Sequence, residues 1–107
     1  MMLDCYTVGI QKDNATGWAF VIKCCNTQDY IEINTGVESS YIEDSDEFAI
    51  NKAKEWCISS YPNTPYTIYT NTYINKYRKD HNDTNSSLEL ECTKELAKAA
   101  FHRFGIR

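Results

Sequence analysis

The chain has no run of about 18 apolar residues, so no segment is predicted to cross a bilayer as a helix. Its first residues, Met1-Met2-Leu3-Asp4, carry neither the basic nor the apolar region of a signal peptide. No two of the five cysteines (Cys5, Cys24, Cys25, Cys57, Cys92) have C-x-x-C spacing, and their number is odd. That argues against a disulfide framework; the expectation is a reduced, intracellular, cytoplasmic chain with cysteines as small core residues. Cys24 and Cys25 are adjacent and would point to opposite faces of a strand, which suits zinc poorly, and no metal site is predicted. No Gly-rich phosphate loop, Ser/His/Asp or Cys/His arrangement, internal repeat or low-complexity linker is present. With 107 residues, one domain spanning 1–107 is expected.

The sequence does hold 42% apolar residues and eight tyrosines, more aromatic hydroxyls than a core of this size usually needs. Net charge is −4 and unevenly placed. Residues 29–55 carry eight acids (Asp29, Glu32, Glu38, Glu43, Asp44, Asp46, Glu47, Glu55) against Lys52 and Lys54. From residue 76 onward seven basic groups face five acidic ones. This is not the footprint of a general polyanion binder.

Residues 3–9 alternate as a strand, with Leu3, Cys5 and Thr7 on one face and Asp4, Tyr6 and Val8 on the other. Residues 11–17 are polar and read as a loop. Residues 18–25 are almost continuously apolar, as in a central strand covered on both faces. After a turn at Asn26-Thr27-Gln28, residues 30–35 alternate again until Gly36. These three strands follow one another as antiparallel hairpins. Asp44 and Glu47 form a capping box, opening a helix over 45–59 whose apolar face is Ala49, Ala53, Trp56 and Cys57. The segment Tyr61-Pro62-Asn63-Thr64-Pro65 stops it. A fourth strand, 66–70, then follows a strand–helix crossover, which favours parallel pairing. Residues 71–81 read as a short helix or an irregular excursion, and 81–86 as a loop. Ser86 and Glu89 form a second capping box, with Leu88, Cys92, Leu96, Ala99 and Ala100 as a helical stripe ending at Gly105. Its first turn, 88–91, is equally compatible with a fifth strand. The fold class is therefore α/β: a mixed sheet of three antiparallel strands, a crossover helix, a parallel fourth strand and a C-terminal helix.

Several stretches carry a family resemblance. Tyr6-Thr7-Val8-Gly9 resembles a first-strand Y-T-D-G signature, and the glycine-containing run around Gly17-Trp18-Ala19 resembles the strand that follows it. Asp46-Glu47-Phe48-Ala49-Ile50 resembles an x-E-L-x-A helix start, and Tyr69-Thr70-Asn71-Thr72-Tyr73-Ile74 a T-D-S-x-Y-V strand end. Lys94-Glu95-Leu96-Ala97-Lys98-Ala99-Ala100 resembles the D-x-L-A-x-x-A run of a closing helix. In that order they resemble the ribonuclease H-like superfamily across nearly the whole chain.

The resemblance implies four carboxylates holding two magnesium ions at a scissile phosphate. Carried over, those positions are Val8, Glu47, Asn71 and Lys94: only Glu47 retains a carboxylate, and Glu91, one turn before Lys94, is the best replacement for the last. Hard-oxygen chemistry is poorly served by an alkyl group, an amide and an ammonium. Family positions that contact the substrate backbone carry Glu43, Asp44 and Asp46, which repel phosphate by about 1 kcal/mol per close pair. Lys76-Tyr77-Arg78-Lys79 stands where some relatives carry a basic substrate-binding protrusion, and suits phosphate contact with base stacking. His81 occupies a loop where family enzymes often hold a mobile histidine, and reads as an ordinary loop residue; His102 reads as packed or solvated. The functional expectation is a catalytically degenerate domain acting by binding a protein partner, without cofactor. Two alternatives are a metal-dependent hybrid ribonuclease using Mg²⁺ or Mn²⁺ with Glu47 and Glu91, and a nucleic-acid-binding module using Lys76, Tyr77, Arg78 and Lys79.

Overall fold

The computed structural model of the chain describes residues 1–70 and 84–103. Strands β1 (Leu3–Lys12), β2 (Ala15–Cys24) and β3 (Tyr30–Glu38) precede helix α1 (Ser45–Ser60), strand β4 (Tyr66–Thr70) and helix α2 (Thr84–Arg103). Among the described residues the sheet has the order β3-β2-β1-β4. β1–β2 and β2–β3 are antiparallel and β1–β4 is parallel, with Leu3 opposite Tyr66 and Thr7 opposite Thr70. This is the mixed sheet that the hairpins and the crossover helix predict.

Two local features lengthen the strands beyond the alternation. Lys12 pairs with Ala15, so the β1–β2 connection is the two-residue turn Asp13-Asn14 and not a loop over 11–17. Asp13 takes φ 56°, a conformation that Asp and Asn adopt readily and that matches the strand twist of a tight hairpin. β3 continues past Gly36 to Glu38 because the glycine makes room: a Cβ there would lie 2.6 Å from the Trp18 indole. Gly36 is thus a recess under a tryptophan, not a strand end.

The alternation of β1 and β2 divides the core between two layers. On one face Leu3, Cys5, Phe20, Ile22 and Ile68 pack against Ile50, Ala53 and Cys57 of α1. On the other, Tyr6, Val8, Ala19 and Val21 pack against Leu90 and Ala97 of α2. β2 is covered on both faces, as its apolar run predicts.

α1 starts as expected: the Asp44 carboxylate accepts the Glu47 N–H at 3.0 Å. It ends at the Tyr61-Pro62 boundary, where the Tyr61 N–H bonds Cys57 O at 2.8 Å. α2 departs from expectation in three ways. It begins at Thr84, so residues 84–86 are helix and not loop, while 88–91 are helix, the first of the two readings the sequence left open. Glu89, expected to cap, instead receives Lys23 Nζ at 2.8 Å and the Tyr30 hydroxyl at 3.1 Å. The buried face is Leu90, Thr93, Ala97, Ala100 and Phe101, while Leu88 and Cys92 are exposed. The small residues Thr93, Ala97 and Ala100 let the helix approach closely, as Gly17 does opposite: a Cβ on Gly17 would meet Ala97 O at 3.0 Å and the Phe101 ring at 2.8 Å.

The excursion over 71–81, the histidine loop and the helix end at Gly105 lie outside the described residues.

Candidate functional site

In sheets with parallel strands, ligands gather at the strands' carboxyl ends beside a helix N-terminus. Here that place is the end of β1 and β4 under the first turn of α1. Gly9 brings the two elements into contact: a Cβ on it would stand 1.8 Å from Ser45 O. Its N–H donates to Asp46 Oδ1 at 2.9 Å. Asp44 and Asp46 therefore hold backbone N–H groups of α1 and β1. Below them Thr7 and Thr70 are fully buried side by side; the Thr7 hydroxyl donates to Tyr69 O at 3.2 Å, while the Thr70 hydroxyl has no hydrogen-bond partner among the described residues.

The four family positions are distributed as follows. Glu47 is half-buried in the first turn of α1. Val8 is 4% exposed and packs in the α2-facing cluster, on the opposite side of the sheet, and not beneath α1 as the resemblance suggests. The one-residue step from Val8 to Gly9 decides this, since successive strand residues face opposite ways. Lys94 is half-buried on α2, the helix of Val8's face. α2 runs in the same direction as β1: Glu89 binds Lys23, which pairs with Asp4, whereas Phe101 lies against Gly17, which pairs with Ile10. Glu91, exposed and one turn before Lys94, so belongs to the half of α2 at the amino end of β1, away from the start of α1. Asn71, the Lys76-Tyr77-Arg78-Lys79 patch and His81 lie outside the described residues; His102 is exposed. Among the described residues, Val8 and Lys94 share one side of the sheet and Glu47 stands on the other.

The same face that carries α1 holds an open groove of about 330 Å³ between α1 and the β2–β3 hairpin. Trp18, Phe20, Asn34, Lys52 and Trp56 border it. Trp18 stacks on Phe20 with ring centroids 6.0 Å apart, and Phe20 meets Trp56 at 6.5 Å. Lys52 Nζ lies over the Trp18 ring at 5.2 Å and the Phe48 ring at 5.4 Å, a cation–π arrangement. An aromatic wall with one cation and a neighbouring carboxylate, Glu55, is suited to holding apolar or aromatic side chains. The sequence signal for it was faint but real: Trp18 and Phe20 share a strand face, and Lys52 and Trp56 are one helical turn apart.

Of the five cysteines only Cys5 and Cys57 are buried, with Sγ atoms 3.4 Å apart between β1 and α1. The contact with Cys57, together with burial, pushes the Cys5 thiol far up. Cys24 and Cys25 are half-buried and Cys92 is exposed, so core packing accounts for two of the five. No protein-family model, curated protein or solved structure matches the chain.

Proposed function

We propose that the chain is a ribonuclease H-like domain that has lost hydrolysis and works by binding a protein partner. Support for the family comes from the strand order β3-β2-β1-β4, the parallel β1–β4 pair and helices on both faces, together with the motif resemblance. The observation that carries the loss of hydrolysis is the environment of Val8. Its side chain belongs to an apolar cluster with Tyr6, Ala19, Val21 and Leu90, where an ionised metal ligand would be costly to desolvate. The acids beside Glu47 in sequence serve the fold: Asp44 caps α1 and Asp46 ties α1 to Gly9. Support for binding comes also from the aromatic groove, a surface of the kind that recognises side chains.

The test is cleavage of an RNA–DNA hybrid in Mg²⁺ and in Mn²⁺, with isothermal titration of each ion. The expected result is no cleavage above that of Glu47→Gln and no ion affinity that depends on Glu47. Cleavage that disappears in Glu47→Gln would replace this reading with the metal-dependent ribonuclease.

A further inference from the structure

Among the described residues β3 borders the sheet, so alternate N–H and C=O groups along its outer side are not used by β2. Proteins commonly blunt such edges with lysine, proline or a bulge. Over nine residues β3 has no lysine and no proline, and its register irregularity is confined to the end opposite Ile22 and Lys23. Ile33 is 51% exposed on it. Pairing with β2 sorts its side chains: Glu32, Asn34, Gly36 and Glu38 stand opposite Ile22, Phe20, Trp18 and Thr16, on the α1 face. Ile33, Thr35 and Val37 take the other face. The aromatic groove begins at Asn34, directly inside this edge.

We propose that β3 and the groove together receive an extended basic segment of a partner protein, added to the sheet as a further strand. This rests on the binding reading above and names its partner's chemistry. Glu32 and Glu38 lie six residues apart on one face, a span of about 20 Å. The segment that fits has Lys or Arg at both ends of that span. Between them, on the same face, it has an aromatic side chain beside Asn34 and Gly36 that reaches into the Trp18–Phe20–Trp56 groove. Its opposite face carries aliphatic residues that cover Ile33. Glu55 at the groove adds a third negative charge.

The charges also select against other occupants. A second copy pairing antiparallel about Thr35 would set Glu32 opposite Glu38 twice, and like charges directly opposite destabilise a sheet. A single-stranded nucleic acid would bring phosphates to Glu32, Glu38 and Glu55.

The chain's two tryptophans, Trp18 and Trp56, both line the groove and report its occupancy by fluorescence. The probe is a nine-residue peptide with lysine at its second and eighth positions and phenylalanine at its fourth and sixth. Threonine and valine fill its odd positions. Expected is a saturable change in tryptophan emission that weakens about tenfold when alternate peptide amides are N-methylated, when the lysines move to odd positions, or in Glu32→Lys/Glu38→Lys. A glutamate-for-lysine version of the peptide should then bind that double variant better than the parent protein. The proposal fails if the shuffled or N-methylated peptide binds equally well, or if charge reversal changes nothing. It fails equally if the free protein dimerises through β3 at micromolar concentration, or if a single-stranded oligonucleotide displaces the peptide. Hybrid cleavage measured on the same samples separates the two readings. Cleavage overturns the loss of hydrolysis and leaves the strand addition to the peptide data, while peptide failure without cleavage overturns only the strand addition.

Discussion

Gly9→Ala is the sharpest perturbation of the junction between β1 and α1. The added methyl would stand 1.8 Å from Ser45 O, 2.2 Å from Ser45 C and 2.8 Å from Asp46 N, all backbone atoms. Ordinary contact begins at 3.4 Å, so the start of α1 must retreat by 3.4 − 1.8 = 1.6 Å. A retreat of that size breaks the 2.9 Å bond from the Gly9 N–H to Asp46 Oδ1. Overpacking typically costs about 1–3 kcal/mol, and losing a hydrogen bond to a charged group about 1.5–3 kcal/mol. The sum, about 2.5–6 kcal/mol, is a large fraction of the roughly 5–15 kcal/mol that stabilises a domain of this size. Melting should fall by at least about 10 °C. Urea unfolding followed by Trp18 and Trp56 fluorescence and by far-ultraviolet dichroism gives the free energy, with m unchanged if only stability is altered. Asp46→Ala removes the bond without the methyl and should cost less, about 1.5–3 kcal/mol. If Gly9→Ala unfolds within about 0.5 kcal/mol of the parent, the contact between α1 and β1 described here is wrong.

Three further outcomes are expected. Val8→Asp should cost at least about 3 kcal/mol, and equally in chelator and in Mg²⁺, because its side chain faces Leu90 and Tyr6 and not Glu47; recovery of the melting temperature in Mg²⁺ would contradict that placement. The Glu89 hydrogen bond and charge raise the Lys23 pKa above 10.5 against opposing desolvation, so the folded value exceeds the unfolded one. The stabilisation is complete below about pH 10.5 and is lost as pH rises through the folded value, so the parent's advantage over Lys23→Met in urea midpoints should shrink only above that pH. Hydrogen bonds from Thr27 lower the Cys24 thiol, while the nearby Asp4 raises Cys25. Iodoacetamide followed by mass spectrometry should therefore modify exposed Cys92 and Cys24 first and Cys25 later; Cys5 and Cys57 should react only on unfolding, and modification of Cys5 ahead of Cys25 would refute the order.

The sheet was legible because its two determinants are local. Alternation in β1 assigns Leu3, Cys5 and Thr7 to one face and Tyr6 and Val8 to the other, and the apolar run of β2 announces burial on both faces. The Asp44 cap fixes where α1 begins, and a crossover of that kind leaves β4 parallel to β1. What escaped depends on partners distant in sequence. The stripe of α2 is ambiguous by itself, since Leu88 and Leu90 are both apolar; Gly17 and Lys23 on β2 decide which one turns inward. The capping box at Ser86 and Glu89 satisfies the local rule, yet Glu89 gains more from the ammonium of a lysine only 10% exposed. Val8 is a different case: the local alternation already put it on the face away from Leu3 and Cys5, and the motif resemblance pointed the other way. A motif fixes its position along β1, but the parity of the strand against Gly9 fixes its face.

The aromatic groove and the β3 edge have a common origin in Gly36. A strand with a side chain at that position would push the Trp18 indole away, because a Cβ would come within 2.6 Å of its ring. With glycine, the indole lies across β3 and stacks on Phe20, and Lys52 is positioned above it. The recess that shapes the groove therefore lies within the strand whose outer backbone is free of β2. An occupant of the groove that reaches Asn34 arrives at that backbone, and a strand pairing with that backbone places alternate side chains at the groove mouth. Side-chain recognition and main-chain pairing are geometrically coupled through one residue without a side chain. A partner strand added there would be selected by how well the spacing of its own charges matches Glu32 and Glu38, and not by affinity for any single group.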